Sequence, residues 1–379
     1  MGTPRKLRKV CLMVAVNVVI LVLLLVLAEL GYRVYRDGVA GTWTRLWDPS
    51  PVPRSRSGSR SKMIHDDELG YRLNPRYEGI NERSLRGPSI AVPRPGGWRR
   101  VVLLGDSIQW DEPSFVDLWQ YSLRPGQRLE LINASTPGYT SYQEVTFYRR
   151  FLAETRPDLV IWTYCLNDNH RFMHVIDRHG FMLLTPEAKQ HLEAQTRWDL
   201  LVNRSYLLSL ARSVYLAHAI KPQKSRSRYR WESQPGFSVA WKDYSWRLYE
   251  EQLLRLRAML ARDATQLVVM VVPYEPQLLM QADPDQAYVL KPQRKVAALC
   301  KKHNVVCLDL YGAFARANHR GQRLFYDGIH LNRDGHRLVH AQLVAFLARR
   351  RLLPADLTRP PPKNPRTSKV NQIAPVPAR

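Results

Sequence analysis

Short apolar segments that alternate with stretches of helical periodicity limit the possible folds of this 379-residue chain more than any other feature. Each segment is rich in β-branched residues and is bounded by polar or turn-forming residues, as buried strands are. Strands that alternate with helices predict a parallel sheet, because the crossover connections of such a sheet are helical. The predicted strands are Arg100–Leu104, Leu129–Asn133, Leu159–Tyr164, Leu267–Val272 and Val305–Leu308.

Two of the intervening stretches have the spacing of amphipathic helices, Ser141–Leu152 and Trp246–Arg262. Apolar residues recur in the second at intervals of three or four, which places them on one face. The side chains expected to face the core are Tyr249, Leu253, Leu256 and Leu260. The sequence therefore predicts one α/β domain, which we place at residues 98–352.

An apolar run, Val10–Ala28, precedes this domain and contains no charge and one strongly polar residue, Asn17. At ~1.5 Å per helical residue it spans nearly the whole of the ~30 Å hydrocarbon core of a bilayer. Lys and Arg residues within 1–9 favour a cytoplasmic N-terminus, although Arg33 and Arg36 follow the run. A cleaved signal peptide is the alternative, but Leu27–Gly31 is a poor cleavage site, so we expect an uncleaved anchor at 10–28.

The remaining segments differ from the domain in composition. Residues 29–97 are predicted to be a juxtamembrane linker and lead-in, with Ser50–Lys62 rich in Pro, Ser, Gly and Arg. Residues 170–244 exceed an ordinary connection and should contain a helix near Ser205–Ala219. This insertion could be a lid or a structural addition beside the sheet. Residues 353–379 are predicted to be a disordered, basic, Pro-rich tail.

The net charge of +24 and the pI near 10.2 raise the question of an anionic partner. The basic residues are spread along the chain without a nucleic-acid-binding motif, so nucleic acid is not an expected partner. A membrane surface or an anionic polymer fits better than nucleic acid, and a merely solvated basic surface is favoured over either. Four cysteines form no disulfide scaffold and no zinc motif. Cys300 and Cys307 could bridge, but a helix and a strand position favour free thiols.

The first candidate for chemistry is Ser107, in Gly105-Asp106-Ser107 at the end of the first predicted strand. Ligands of parallel sheets bind at the carboxyl ends of the strands, so Ser107 lies at the active edge. Glycine permits the tight turn, and a following helix would direct its amides at the serine. The tripeptide alone is weak evidence for a catalytic serine, because such a serine is often only a helix cap.

A base for this serine occurs near the other end of the domain, in Asp327-Gly-Ile-His330. A serine hydroxyl becomes a good nucleophile when a histidine accepts its proton, and an acidic residue must orient the imidazole. The spacing brings both groups to one loop. Two possible oxyanion donors, Gly138 and Asn167, also follow predicted strands and so lie at the same edge.

Together these motifs resemble the SGNH (GDSL-like) hydrolase superfamily over roughly Trp98–Leu352. The resemblance implies a flavodoxin-like three-layer α/β/α sandwich with a five-stranded parallel sheet. Ser107, Asp327 and His330 would be catalytic, and Gly138 and Asn167 would bind the oxyanion. It implies no metal and no other cofactor. Leu85–Pro93 also resembles the lead-in of a bacterial subgroup with an N-terminal membrane segment, which implies an inner-membrane protein with its domain outside the cytoplasm.

Two positions depart from the family pattern. Cys165 stands where the third block usually has glycine, and Trp110 follows the serine where a glycine-rich continuation is usual. Neither change removes a catalytic side chain, but Trp110 could narrow the pocket. His170, His174 and His179 could suggest zinc, yet no carboxylate pattern accompanies them. The basic run Lys221–Arg230 is expected to be a solvated loop.

The expected activity is hydrolysis of acyl esters, with acetyl the leading candidate, on extracytoplasmic carbohydrates or lipids. An O-acyltransferase that acts on a polysaccharide would use the same residues and is the first alternative. A non-catalytic binding protein that retains the fold is the second. The oligomeric state is left open by the sequence.

Overall fold

The computed structural model describes residues 3–46, 62–110, 113–177, 180–183, 205–208, 210, 211, 214 and 228–358. Within them the predicted alternation of strands and helices is confirmed. The strands are β1 Met63–Asp66, β2 Gly70–Leu73, β3 Arg99–Gly105, β4 Leu129–Ser135, β5 Leu159–Tyr164, β6 His174–Asp177, β7 Gly180–Leu183, β8 Gln266–Val271 and β9 Val306–Asp309. The helices are α1 Thr3–Leu46, α2 Phe115–Ser122, α3 Ser141–Phe147, α4 Pro235–Ser238, α5 Trp246–Ala261, α6 Glu275–Leu279, α7 Gln286–Val289, α8 Lys291–Lys302, α9 Tyr311–His319 and α10 Arg333–Arg350.

The central sheet contains β3, β4, β5, β8 and β9, and every pairing in it is parallel. Its spatial order is β4-β3-β5-β8-β9, the flavodoxin-like order with a topological switch between β3 and its two neighbours. The chain adds β4 on one side of β3 and then β5, β8 and β9 on the other side. The carboxyl ends of β3, β4 and β5 therefore surround one crevice, which is where the sequence places Ser107, Gly138 and Asn167.

Alternating side chains of the central strands enter two apolar cores. Val102, Leu104 and Trp162 point to one face, and Val101 and Leu103 point to the other. Because each face carries a continuous apolar surface, helices must cover both. The first core packs against α3, α5 and α8, and the second against α2, α9 and α10. The three-layer fold is thus confirmed. All four side chains predicted to face the core from α5 are buried.

The helix predicted at Ser141–Leu152 changes its geometry part-way. Its α-helical part ends at Phe147, and Tyr148–Leu152 continues as a π-helical turn. Farther along, the thiols of Cys300 on α8 and Cys307 on β9 lie within hydrogen-bond contact of each other, without a disulfide between them.

The lead-in is more ordered than a linker. β1 and β2 form an antiparallel hairpin, and β6 and β7 form a second hairpin at the beginning of the insertion. Most of the helix predicted near Ser205–Ala219, the tail beyond 358 and most of the Ser50–Lys62 and Lys221–Arg230 segments lie outside the described residues.

The apolar N-terminal run lies within α1, which is longer than the predicted anchor and is broken at Gly38, where φ is +72°. Residues Arg8–Tyr35 form a helix long and apolar enough to cross a membrane, with a mean hydropathy of 3.3 over its most apolar window. Its apolar side chains are exposed rather than packed against the domain. These properties are compatible with a membrane anchor or with a signal sequence.

Candidate active site

The turn after β3 presents Ser107 at the sheet edge. Ser107–Gln109 form a single 3₁₀ turn, and Asp106 caps it by accepting a hydrogen bond from the Ile108 amide at 3.0 Å. Asp106 is almost fully buried, whereas Ser107 is partly exposed. The cap therefore fixes the backbone and leaves the hydroxyl accessible from solvent.

Gln109 holds this turn against the sheet from inside the protein. Its side chain is fully buried, donates from Nε2 to Leu103 O at 2.8 Å and accepts from Thr163 Oγ1 at 3.0 Å. A Cβ on Gly105 would lie 2.7 Å from this side-chain amide, so glycine is required there. A buried amide that loses its hydrogen-bond partners is destabilising. The Gln109 side chain therefore stabilises the turn that carries Ser107.

The imidazole of His330 joins Ser107 to Asp327. Nε2 lies 2.9 Å from Ser107 Oγ, and Nδ1 lies 2.6 Å from Asp327 Oδ2. The tautomer with its proton on Nδ1 satisfies both contacts, since Nδ1 then donates to the carboxylate and Nε2 accepts from the hydroxyl. Although Ser107 and His330 are 223 residues apart in the chain, the fold brings them into the arrangement that activates a serine nucleophile.

The Asp327 carboxylate also shapes its own loop. Its Oδ1 accepts from the amides of His330 at 2.8 Å and of Ile329 at 3.1 Å. Partial burial works to raise the pKa of Asp327, but these hydrogen bonds and the one from the imidazole outweigh it and lower the pKa. The carboxyl is therefore ionised at neutral pH, as a partner for an imidazolium must be.

Gly138 follows the end of β4 in a conformation that suits glycine. Its φ is +76°, and a Cβ there would lie 2.8 Å from His174 Nδ1 and 2.9 Å from the Tyr71 hydroxyl. Neither the backbone angle nor the space admits a larger residue. Burial lowers the pKa of His174 to about 4, so the ring that packs on Gly138 is neutral at pH 7.

Asn167 is buried at the end of β5 and joins several parts of the site. Its Nδ2 donates to Tyr139 O at 2.6 Å, and its side chain also hydrogen-bonds Asp106. Burial raises the pKa of Asp106, and hydrogen bonds from the Ile108 amide, Asn167 and the Cys165 thiol oppose that rise. The cysteine that replaces the family glycine thus gives Asp106 an extra donor. For Asn167 to bind an oxyanion, its side-chain amide must break one of these hydrogen bonds and donate to the oxyanion instead.

The lead-in hairpin forms one wall of the site. Tyr71 on β2 donates from its hydroxyl to Pro137 O at 2.6 Å, and the Tyr139 hydroxyl donates to Tyr71 O at 2.7 Å. Burial raises the pKa of both phenols, so both remain protonated donors. The two residues bracket Gly138, which the hairpin therefore holds in place.

Trp110 is held by two cations from the lead-in. Lys62 Nζ lies 4.5 Å and the Arg86 guanidinium carbon 5.1 Å from the centroid of its indole ring, and Arg86 donates to Trp110 O at 2.6 Å. Cation–π contacts of this kind fix a ring as well as stabilise it. Trp110 N donates to Ser107 O at 3.1 Å, so this ring belongs to the residue that closes the turn of Ser107. That Trp110 narrows the pocket stays a prediction.

The histidine cluster is divided by the structure. His174 contacts Gly138, His170 lies at the end of the turn that contains Asn167, and His179 lies outside the described residues. Across the part of the chain that the structure describes, no three His, Cys, Asp or Glu side chains converge on a metal position.

The family model described as "GDSL-like Lipase/Acylhydrolase family" matches residues 103–338, which is more than half of the chain. The chain belongs to this family. It is accordingly a serine hydrolase that acts on esters, and the motifs that suggested the resemblance all lie within the matched residues. No curated protein matches the chain.

Several solved structures are similar to this family member at low sequence identity. The α/β hydrolase LAE5 from the Lake Arreo metagenome is 17% identical, with 65% of this chain and 94% of that one covered and a TM-score of 0.40. A lipase/acylhydrolase from Enterococcus faecalis is 16% identical, with 66% and 96% covered and a TM-score of 0.39. The acetyl xylan esterase AlAXEase is 15% identical, with 65% and 99% covered and a TM-score of 0.40. Such values add nothing to the family assignment.

All five site residues predicted from the sequence lie at one edge of the sheet. The sequence did not reveal that Tyr71, His174 and Tyr326 contact those residues. It also did not reveal that Gln109 holds the turn that carries Ser107. Tyr326 precedes Asp327, and its position in that loop was the one available signal. Tyr71 and His174 come from other segments of the chain, and Gln109, in the same turn as Ser107, has no motif of its own.

Proposed function

We propose that this GDSL-family hydrolase cleaves acyl esters through Ser107, His330 and Asp327. The observation that carries the proposal is the continuous contact from Ser107 Oγ to His330 Nε2 and from His330 Nδ1 to Asp327 Oδ2. Such a series lets the imidazole accept the serine proton while the carboxylate stabilises the resulting positive charge.

The reaction proceeds in two halves. Ser107 Oγ attacks the ester carbonyl as its proton passes to His330 Nε2, and the oxyanion accepts hydrogen bonds from the Ser107 and Gly138 amides and from Asn167. His330 then gives the proton to the departing alcohol, which leaves an acyl-serine. Water attacks this ester while His330 accepts one of its protons. Collapse of the second intermediate returns that proton to Ser107 and releases the carboxylic acid.

The proposed substrates are acetylated or otherwise acylated carbohydrates or lipids outside the cytoplasm. The support for this location is the apolar helix Arg8–Tyr35 with basic residues before it, as expected for an inner-membrane anchor. The ring of Tyr326 is 60% exposed and stacks on His330, so it offers an apolar face to a sugar or an acyl chain at the mouth of the site.

The test is turnover of p-nitrophenyl acetate by the full chain in detergent. Ser107→Ala should lower kcat on the order of 10³-fold or more. Ser89→Ala, which removes an exposed hydroxyl that donates to Glu82, should leave kcat unchanged. Labelling of Ser107 by a fluorophosphonate should disappear in the same variant. Full activity of Ser107→Ala would refute the mechanism.

An O-acyltransferase would form the same acyl-serine and pass the acyl group to a sugar hydroxyl instead of water. Incubation with an acetylated donor and a polysaccharide acceptor separates the two activities by mass balance. The proposed hydrolase releases one acetate for each ester cleaved, whereas a transferase retains acetate on the acceptor. A non-catalytic protein would do neither.

A further inference from the structure

A carboxylate on the N-terminal helix binds the first helical residues of the insertion. Glu29 accepts hydrogen bonds from the amides of Tyr206 and Leu207, both at 3.0 Å, and from Ser205 Oγ at 2.9 Å. Arg33 Nε lies 2.8 Å from the same carboxylate. Amides at the beginning of a helical segment lack intrahelical acceptors, so an anion there is stabilising. A residue more than 170 positions away thus supplies the cap.

Side-chain packing reinforces this contact. The rings of Tyr32 and Tyr206 meet edge to face with their centroids 5.6 Å apart, and the Arg33 guanidinium lies 5.8 Å from the Tyr206 ring centroid. Tyr206 is only 5% exposed. The insertion is therefore docked on α1 by both polar and aromatic contacts.

The contact between Glu29 and the Ser205–Tyr206 pair lies at the end of the apolar run. Glu29 is the first charged residue after Val10–Ala28, and that run fills nearly the ~30 Å of a bilayer core. Tyr32 and Tyr35 follow at the level where aromatic residues favour the membrane–water interface. If α1 spans the membrane as proposed above, Ser205 and Tyr206 lie at the surface of the bilayer.

Beyond the contact with Glu29 the insertion exposes apolar side chains. Leu208, Leu210 and Val214 are each about half exposed, at 49%, 50% and 51%. We propose that the described residues of this part of the insertion, 205–208, 210, 211 and 214, rest on the outer surface of the bilayer. Leu208, Leu210 and Val214 would then insert at the headgroup–acyl boundary. The hydrolase domain is thereby held beside the membrane. The inference rests on the proposed anchor.

Spin-label depth measurements on the full chain test this directly. A nitroxide at Leu210→Cys, in a Cys11→Ser background, is placed in nanodiscs of phosphatidylcholine and phosphatidylglycerol. Ile20→Cys provides the bilayer reference and Tyr121→Cys, which is 75% exposed on α2, the water reference. The ratio of oxygen to nickel-chelate accessibility at Leu210 should be several-fold higher than at Tyr121. Spin–spin broadening at Leu210 would instead indicate a second copy on this face and would overturn the proposal.

A matched pair of variants tests the role of Glu29. Glu29→Ala should lower the ratio at Leu210 towards that of Tyr121, and Glu82→Ala, which removes an exposed carboxylate of the lead-in, should not change it. Turnover of p-nitrophenyl acetate should be equal in both. If the accessibility ratio at Leu210 equals that at Tyr121 while the ratio at Ile20 is high, only this inference is refuted. A water-like Ile20 refutes the anchor, and absent turnover refutes the proposed hydrolase.

Discussion

The phenol ring of Tyr326 stacks on the imidazole of His330, with ring centroids 5.6 Å apart and planes inclined by 15°. The two residues belong to one loop, in which Tyr326 N also donates to His330 O at 3.1 Å. One face of the base is therefore covered by an aromatic ring while its two nitrogens contact Ser107 and Asp327. This stack restricts rotation of the imidazole away from the serine.

Replacement of Tyr326 by alanine should lower kcat/KM for p-nitrophenyl acetate. Aromatic pairs contribute ~0.5–1.5 kcal/mol beyond burial, which corresponds to a loss of about twofold to tenfold if the stack positions the base. Tyr326→Phe keeps the ring and should remain close to the parent. Equal losses in both variants would assign the effect to the hydroxyl rather than to stacking.

Asp327→Asn should leave the loop folded but lower kcat on the order of 10⁴-fold, because a neutral amide neither holds the Nδ1 proton nor stabilises an imidazolium. The asparagine oxygen can still accept the Ile329 or His330 amide, so KM and the thermal midpoint should change little. Steady-state kinetics and thermal unfolding check both expectations. A large loss of stability with normal kcat per folded molecule would contradict the proposed role.

Gly138→Ala should destabilise the protein more than Gly126→Ala. Both glycines have positive φ, +76° and +89°, so both replacements introduce backbone strain of ~1–2 kcal/mol. Only at position 138 would the new Cβ also collide with His174 and Tyr71, since Gly126 has open space around it. The extra loss in free energy of unfolding should be ~1–3 kcal/mol by urea titration. Equal losses would show that His174 and Tyr71 move to accommodate the new Cβ at little cost in free energy.

Stability should fall as the pH drops from about 6.5 to about 4 because of His174. Its folded-state pKa is about 4 against an ordinary 6.5, so over this window the unfolded chain binds a proton that the folded protein does not. The loss should be on the order of 3 kcal/mol across the window and should not grow further below it.

The His174 effect is isolated by comparison with His174→Gln, which is neutral throughout. The difference in free energy of unfolding between parent and variant should shift in favour of the variant between about pH 7 and about pH 4.5. A difference that is constant with pH would show that His174 is as easily protonated in the folded protein as in the unfolded chain.

The sequence predicted the sheet well because its strands are short, apolar and locally recognisable. The predicted Leu159–Tyr164 and the observed β5 are identical, and the other four differ by one or two residues at their ends. The β1–β2 hairpin was missed because Met63–Asp66 and Gly70–Leu73 are too short and mixed in polarity for a clear period. Their stability comes from contacts with the domain, such as Gln143 Nε2 to Leu69 O at 2.7 Å.

The residues of the proposed catalytic site were recognisable because each one follows a strand or lies in a short motif. The residues that fix their geometry were not. Gln109 resembles any polar residue of a turn, and Tyr71 any aromatic residue of a lead-in. Their roles arise from contacts with other segments, such as Gln109 Oε1 with Thr163 and the Tyr71 hydroxyl with Pro137 O, and such contacts leave no periodicity in the chain. Glu29 and Ser205 are a further case, at a separation of 176 residues.

The hydrogen bonds between Tyr71 and the Pro137–Tyr139 segment have a consequence for how this protein is divided. The matched family region begins at residue 103, yet the strand that braces Gly138 ends at Leu73. A recombinant fragment cut at the family boundary would lack Tyr71 and would expose one side of the loop that carries Gly138. Fragments for biochemical work should begin before Met63, and among relatives the residues at 71 and 139 should be inherited as a pair.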